Sequence, residues 1–284
     1  MEHVKTIESL GKLVKAMRQQ GKTIGFVPTM GAFHKGHMSL IETAVNQSDF
    51  VVVSIFVNPT QFAPGEDYEK YPRTIDADLK LCSDVGVDIV FTPSAEQMYP
   101  TENLTWVNVE KITAPLCGQF RPGHFQGVTT VCAKLFNIVL PDIAYFGQKD
   151  AQQAIIIKKM VSDLNIPLEI VVCPTIREDD GLALSSRNHY LDASQRQDAA
   201  LIYKSLQTCR KEIENGTKEP ETIIEKIRYT LQQAASIQIE YVSILDAESL
   251  NDLDNINGRV LVAVAVKIGQ TRLIDNIIVD ASEY

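Results

Sequence analysis

Two histidines, His34 and His37, flank Gly36 in the run Val27-Pro28-Thr29-Met30-Gly31-Ala32-Phe33-His34-Lys35-Gly36-His37. Imidazole N–H groups donate hydrogen bonds to phosphoryl oxygens, and a glycine lets the main chain approach a bulky anion. An apolar run over 23–27 reads as a buried strand. Leu40, Ile41, Ala44 and Val45 mark a helix over 37–47. A strand turning into a helix here aims free N–H groups and the positive end of a helix dipole at an anion. That arrangement suits nucleotidyl transfer. A turn carrying surface histidines is the plainer alternative. Zinc binding fails, because no cysteine or carboxylate cluster stands at zinc spacing.

Four further segments carry polar groups. Asn58-Pro59-Thr60-Gln61-Phe62 follows a strand and either fixes a carboxylate or hydroxyl without adding charge, or is a polar turn started by Asn-Pro. Gly118 to Gly127 is a glycine-rich basic loop. Its Arg121 and His124 either contact phosphates as a mobile lid closes, or sit on a flexible surface loop. Phe146-Gly147-Gln148-Lys149-Asp150-Ala151-Gln152-Gln153 repeats the strand–glycine–helix design. Lys149 is a point positive charge suited to phosphate, Asp150 is placed as an N-cap, and Gln153 lies one turn along. Leu184-Ser185-Ser186-Arg187-Asn188 offers hydroxyls and a guanidinium to a triphosphate, although a Ser-Ser-Arg triplet alone is common. Asp76 and Asp78 read as a solvated helix start.

The elements that must position these groups alternate. Strands are expected over 23–27, 50–57, 88–91, 143–146 and 168–172. Helices are expected over 9–19, 37–47, 74–85, 129–139 and 150–164, with residues 1–20 as one amphipathic segment. Near-continuous apolar strands such as Val51-Val52-Val53-Ser54-Ile55 imply a parallel sheet covered on both faces. Ligands of such sheets bind at the carboxyl ends of the strands, where each motif above falls. Beyond residue 175 come helices over 192–215 and 220–235. Strands over 239–244, 259–266 and 271–279 follow, the last two joined by a hairpin turn at Lys267-Ile268-Gly269-Gln270. The fold class is therefore α/β: a Rossmann-like doubly wound parallel sheet (1–175) with a smaller C-terminal α+β domain (176–284).

The chain has 284 residues, 45% hydrophobic and 22% charged, with a formal charge of −9. That acidity argues against a nucleic-acid partner, but a local cluster of Lys, His and helix ends still binds a nucleotide. No apolar run approaches the roughly 20 residues needed to span a bilayer, so no membrane partner is expected. Five scattered cysteines without a CxxC point to a reduced, cytoplasmic protein with buried thiols. Cys117, beside a glycine, is the one candidate for a reactive thiol.

Taken together and in order, the segments from Pro28 to Asn188 (with Tyr71-Pro72-Arg73-Thr74 and Arg121 to Val128 among them) resemble the pantoate–β-alanine ligase (AMP-forming) family. This family belongs to the His-x-Gly-His nucleotidylyltransferase superfamily. Phe33 and Leu184 stand where Leu and Met are common. The resemblance implies condensation of pantoate with β-alanine through pantoyl adenylate, with ATP as substrate and Mg²⁺ as helper. A His-x-Gly-His adenylyltransferase acting on another small substrate is the alternative. The resemblance also implies that Met30, Gly31, Ala32, Phe33, His34, Lys35, Gly36 and His37 line the ATP site. Gly147, Gln148, Lys149, Asp150, Ile176, Leu184, Ser185, Ser186 and Arg187 are implied to complete it. His37, His34 and Lys149 are the implied catalytic groups. Gln61 is assigned to pantoate and β-alanine, Gln153 to pantoate, and Asn58 more weakly to pantoate. His37 is assigned as proton donor in the family, and a doubly protonated ring would stabilise pyrophosphate by charge alone. A homodimer and a C-terminal domain that closes over the site are further implications. No metal ligand is identified.

Overall fold

The computed structural model describes residues 1–283. The chain divides into two compact units. The first comprises Met1–Thr113, Gly118–Gln148 and Gln152–Pro174. The second comprises Ala114–Cys117, Lys149–Ala151 and the chain from Thr175 onward.

The first unit is built on a parallel sheet of six strands: β1 (Glu2–Val4), β2 (Ile24–Thr29), β3 (Phe50–Ile55), β4 (Ile89–Phe91), β5 (Ile143–Gly147) and β6 (Glu169–Cys173). Their order is β1-β4-β3-β2-β5-β6. Period-two alternation sends side chains to two cores. Ile24, Phe26, Phe50 and Val52 enter one cluster with Leu135, Phe136 and Ile157. Val27, Val51, Val53 and Ile55 enter the other with Ile41, Ala44 and Cys82. Burial on both faces explains why these strands are continuously apolar.

The helices of this unit are α1 (Ile7–Gln19), α2 (Lys35–Gln47), α3 (Ile75–Asp84), α4 (Ala95–Met98), α5 (Cys117–Phe120), α6 (His124–Val139) and α7 (Ala151–Asp163), with α5 and α7 beginning in the second unit. Residues 1–20 are not one helix. Glu2–Val4 pairs with Ile89–Phe91 as an edge strand that buries Val4, and α1 starts only after Thr6, whose hydroxyl accepts from the Ser9 N–H. Within the basic loop, α6 begins at His124 rather than near residue 129.

Sheet order reverses between β2 and β5, which are direct neighbours. Their carboxyl ends, Thr29 and Gly147, bound the switch point at which such sheets open a crevice. The His34–His37 segment leaves one of these ends and Gln148 the other.

The second unit packs α8 (Ala193–Glu214) and α9 (Pro220–Leu231) on an antiparallel sheet of β7 (Ile237–Asp246), β8 (Arg259–Ile268) and β9 (Thr271–Asp280). Its core joins Ile202, Leu206, Ile223 and Ile227 to Val260, Val262, Val264 and Val266. The hairpin turn falls at Gly269-Gln270, with Gly269 at φ +58° and Ile268 paired to Thr271.

Candidate active site

Strand β2 ends in a turn whose backbone is forced. Gly31 has φ +83° and Ala32 has φ +54°. The left-handed region costs a non-glycine residue on the order of 1–2 kcal/mol, so neighbouring groups must hold it. A Cβ on Gly31 would meet Ile55 Cγ2 at 2.8 Å and Asp78 Oδ2 at 3.0 Å, which accounts for glycine there. The Asp78 carboxylate, on α3 and 1% exposed, accepts from the Ala32 and Phe33 N–H groups, both at 2.9 Å.

The two histidines then cap α2 reciprocally. His34 Nδ1 accepts from the Gly36 N–H at 3.1 Å, and His37 Nδ1 accepts from the His34 N–H at 3.4 Å. A nitrogen that accepts carries no proton, so this geometry leaves Nε2 of each ring as its N–H donor. The ring centroids lie 4.1 Å apart, a separation that disfavours two cations. Side chains thus engage the N–H groups of residues 32, 33 and 34 ahead of α2, and that of Gly36 within its first turn.

Gln61 lies against this turn. Its Nε2 donates to Met30 Sδ at 3.0 Å, and its Oε1 accepts from Asn58 Nδ2 at 3.3 Å. Asn58 is buried. Its amide also donates to the Gly127 carbonyl, and its Oδ1 accepts from the Tyr99 hydroxyl at 3.0 Å and the Thr60 hydroxyl at 3.0 Å. Burial pushes the Tyr99 phenol pKa up, against a lowering by its Thr60 hydrogen bond, so it stays a donor. Asn58 is thus the support of Gln61. The Gln61 carbonyl in turn accepts from His124 Nδ1 at 2.8 Å and from Arg121 at 3.3 Å. Arg121 is clamped by both oxygens of Glu66 at 2.7 Å and donates to His124 Nε2 at 3.0 Å. Arg121 and His124 are thus packed against Gln61 and Glu66 in this structure.

At the other end of the crevice Gly147 closes β5, and Gln148–Asp150 forms a 3₁₀ turn before α7. Asp150 is exposed and belongs to that turn rather than serving as an N-cap. The Lys149 carbonyl accepts from Asn276 Nδ2 at 2.9 Å. Gln153 is half-buried on α7.

In the second unit Ile176 and Leu184 are brought together, with the Leu184 N–H donating to the Ile176 carbonyl at 3.0 Å. Arg177 braces this hairpin. Its guanidinium pairs bidentately with buried Asp275 at 2.6 and 3.0 Å and lies 3.9 Å from the Tyr203 ring centroid. Ser185 caps the following 3₁₀ helix (Ser186–Tyr190) by accepting from the Arg187 N–H at 3.2 Å. All five cysteines are free and buried, and burial pushes the Cys82, Cys132 and Cys209 thiols up to about 12, far from a reactive thiolate.

Asp78, expected to belong to a solvated helix start, is instead 1% exposed and bonded into the turn, and the partnership of Glu66 with Arg121 and His124 was not foreseen. For Asp78 a signal existed. Ile75, Asp78, Leu79 and Cys82 fall at i, i+3, i+4 and i+7, which puts a carboxylate in the apolar stripe of α3. Glu66 and Arg121 stand 55 residues apart, and no local pattern joins them.

A family model for pantoate-beta-alanine ligase matches residues 2–278. A pantothenate synthetase from Thermoanaerobacter pseudethanolicus is 54% identical over 272 residues, 96% of each chain. The crystal structure of pantothenate synthetase from Thermus thermophilus superposes with a TM-score of 0.93 at 42% identity, covering 98% of this chain and 99% of that one. A pantoate-beta-alanine ligase from Francisella tularensis, complexed with β-γ ATP and β-alanine, gives a TM-score of 0.81 at 37% identity, covering 99% and 100%.

The Glu66–Arg121 brace has a pH signature. Burial raises the Glu66 pKa, but the Arg121 hydrogen bonds and charge outweigh it and leave the group below its ordinary value. A depressed folded-state pKa adds stability above the ordinary carboxylate range, and this is lost as pH falls through the folded value. Glu66→Gln should therefore lower the thermal midpoint near pH 7, and the gap from the parent should close as pH drops below about 4. A gap of constant size in melting curves across that range would exclude the ion pair as its cause.

Proposed function

The chain belongs to the pantoate–β-alanine ligase family and joins pantoate to β-alanine using ATP; we propose that it does so in two steps, with adenylation at the His34–His37 turn. The pantoate carboxylate attacks the α-phosphorus of ATP and pyrophosphate departs. The β-alanine amine then attacks the acyl carbon of pantoyl adenylate and AMP departs. A free carboxylate is a poor acyl donor to an amine, and adenylation supplies the leaving group. The first step builds charge on phosphoryl oxygens, so catalysis there is positioning plus charge stabilisation.

The observation that carries this reading is the reciprocal histidine cap at the switch point. Each Nδ1 is held by a main-chain N–H, which leaves Nε2–H as the donor to phosphate. On this reading Met30 to His37 line the nucleotide, with His34 and His37 at the phosphates as neutral donors. Gly147 permits close approach, Gln148 and Asp150 flank the nucleotide, and Lys149 supplies the positive charge. Among the described residues the Lys149 ammonium has no ion-pair partner to compete with phosphate. Ile176 and Leu184 to Arg187 are the second unit's nucleotide contacts. Gln61 holds pantoate and β-alanine, Gln153 holds pantoate, and Asn58 acts through Gln61. An adenylyltransferase that stops at an adenylated product is not favoured, given the full-length likeness to ligases.

Among the described residues no group of three or more His, Cys, Asp or Glu could hold a metal. On this reading Mg²⁺ arrives bound to the triphosphate and shares its charge with the phosphates. Free thiols and dependence on ATP support a cytoplasmic setting, and no helix among the described residues is long and apolar enough to cross a membrane. Exposed Leu104 and Trp106 support a homodimer that covers them, which sedimentation velocity tests.

Pyrophosphate release from ATP and Mg²⁺ should require pantoate, and steady AMP release should require both substrates. Lys149→Ala and His37→Ala should each slow pyrophosphate release by about 10²-fold with unchanged melting; near-parent turnover in either removes its role. Gln153→Ala should chiefly raise the KM for pantoate. An equal rise for ATP would assign it elsewhere.

A further inference from the structure

Asp78 is a buried carboxylate that the two-step reaction as described does not use. Its oxygens accept three hydrogen bonds: from the Ala32 N–H at 2.9 Å, the Phe33 N–H at 2.9 Å and the Thr74 hydroxyl at 3.1 Å. Among the described residues no Lys, Arg or His pairs with it. Thr74 precedes α3 without capping it, so its hydroxyl serves the carboxylate instead. Burying an ion without a counter-ion is costly, and a leucine would suit the apolar stripe of α3 better. Two N–H groups of adjacent residues, one at positive φ, aim at one carboxylate immediately before His34. An amide cannot replace it, because only one of its two heavy atoms accepts.

We propose that Asp78 is a positioning residue for adenylation: its carboxylate clamps the Gly31–Phe33 turn and so sets the reciprocal imidazole pair of His34 and His37. The inference rests on the reading of that turn as the nucleotide site. Misplacement of donors by a fraction of an ångström acts on the step in which charge develops on phosphate. The amine step, in which the acyl carbon reacts, depends on it less.

The test uses the full chain and the variant Asp78→Asn, with Ala32→Gly/Asp78→Asn as its partner, because glycine accepts the left-handed turn without strain. Amide hydrogen exchange of the peptide covering Ala32 and Phe33 should rise about tenfold or more in Asp78→Asn. The rate of pyrophosphate release should fall about 10²-fold, with the reaction of supplied pantoyl adenylate with β-alanine changed by less than about threefold. The double variant should recover the melting temperature but not the adenylation rate, a split that a merely structural carboxylate would not produce. Unchanged exchange, an equal loss in both half-reactions, or recovery of rate together with stability would overturn the proposal. His37→Ala measured alongside separates the two ideas. If it retains full pyrophosphate release, the nucleotide-site reading fails. If it loses release while Asp78→Asn keeps it, only the clamp fails.

Discussion

The turn after β2 reverses direction within a few residues, and its backbone N–H groups point inward at a single buried carboxylate. That constraint organises the rest of the site. With Ala32 and Phe33 bonded to Asp78, the chain leaves the sheet at a fixed angle. His34 then arrives at the N-cap position, where a side chain normally supplies the missing acceptor. Here two imidazoles do so for each other's segment. The result is a pair of rings whose Nδ1 atoms each face a main-chain N–H group.

The same logic governs the Gln61 corner. A glutamine amide has many rotamers, and freezing them costs entropy. The protein limits that freedom from both ends: Asn58 and Met30 engage the side chain, and Arg121 and His124 engage the carbonyl. Gly127 completes the corner, because a Cβ there would collide with the Thr60 carbonyl. Arg121 and His124 are thus structural members of the Gln61 corner. Arg121 in particular is held by Glu66.

The second unit repeats the theme with a different device. A short hairpin joins Ile176 to Leu184 and is braced by the pairing of Arg177 with the buried Asp275 carboxylate. Removing one partner from such a pair leaves an uncompensated buried charge. Gly181, at φ +92°, gives the turn its shape and lies so close to Tyr203 that no side chain fits. The hydroxyl of Ser185 is already a capping group, so its service to phosphate would be shared with local structure.

Much of this was legible in the amino-acid sequence. Continuous apolar strands, helices of regular period and glycines at strand ends located the parallel sheet and placed each polar motif at a carboxyl end, because these signals are local and repeat within a few residues. The resemblance carried by the motifs from Pro28 to Asn188 identified the chemistry, and the family match agrees. What local pattern could not supply is partnership across distance. Val4 pairs with Phe91, Glu66 with Arg121, and Asp78 with the Ala32 and Phe33 N–H groups, through contacts 46 and 45 residues apart in the last case. Tertiary structure alone decided that Asp78 is buried, that the basic loop is braced, and that His34 and His37 cap α2 reciprocally. Each of these follows from which acceptor meets which donor once the sheet has brought the segments together.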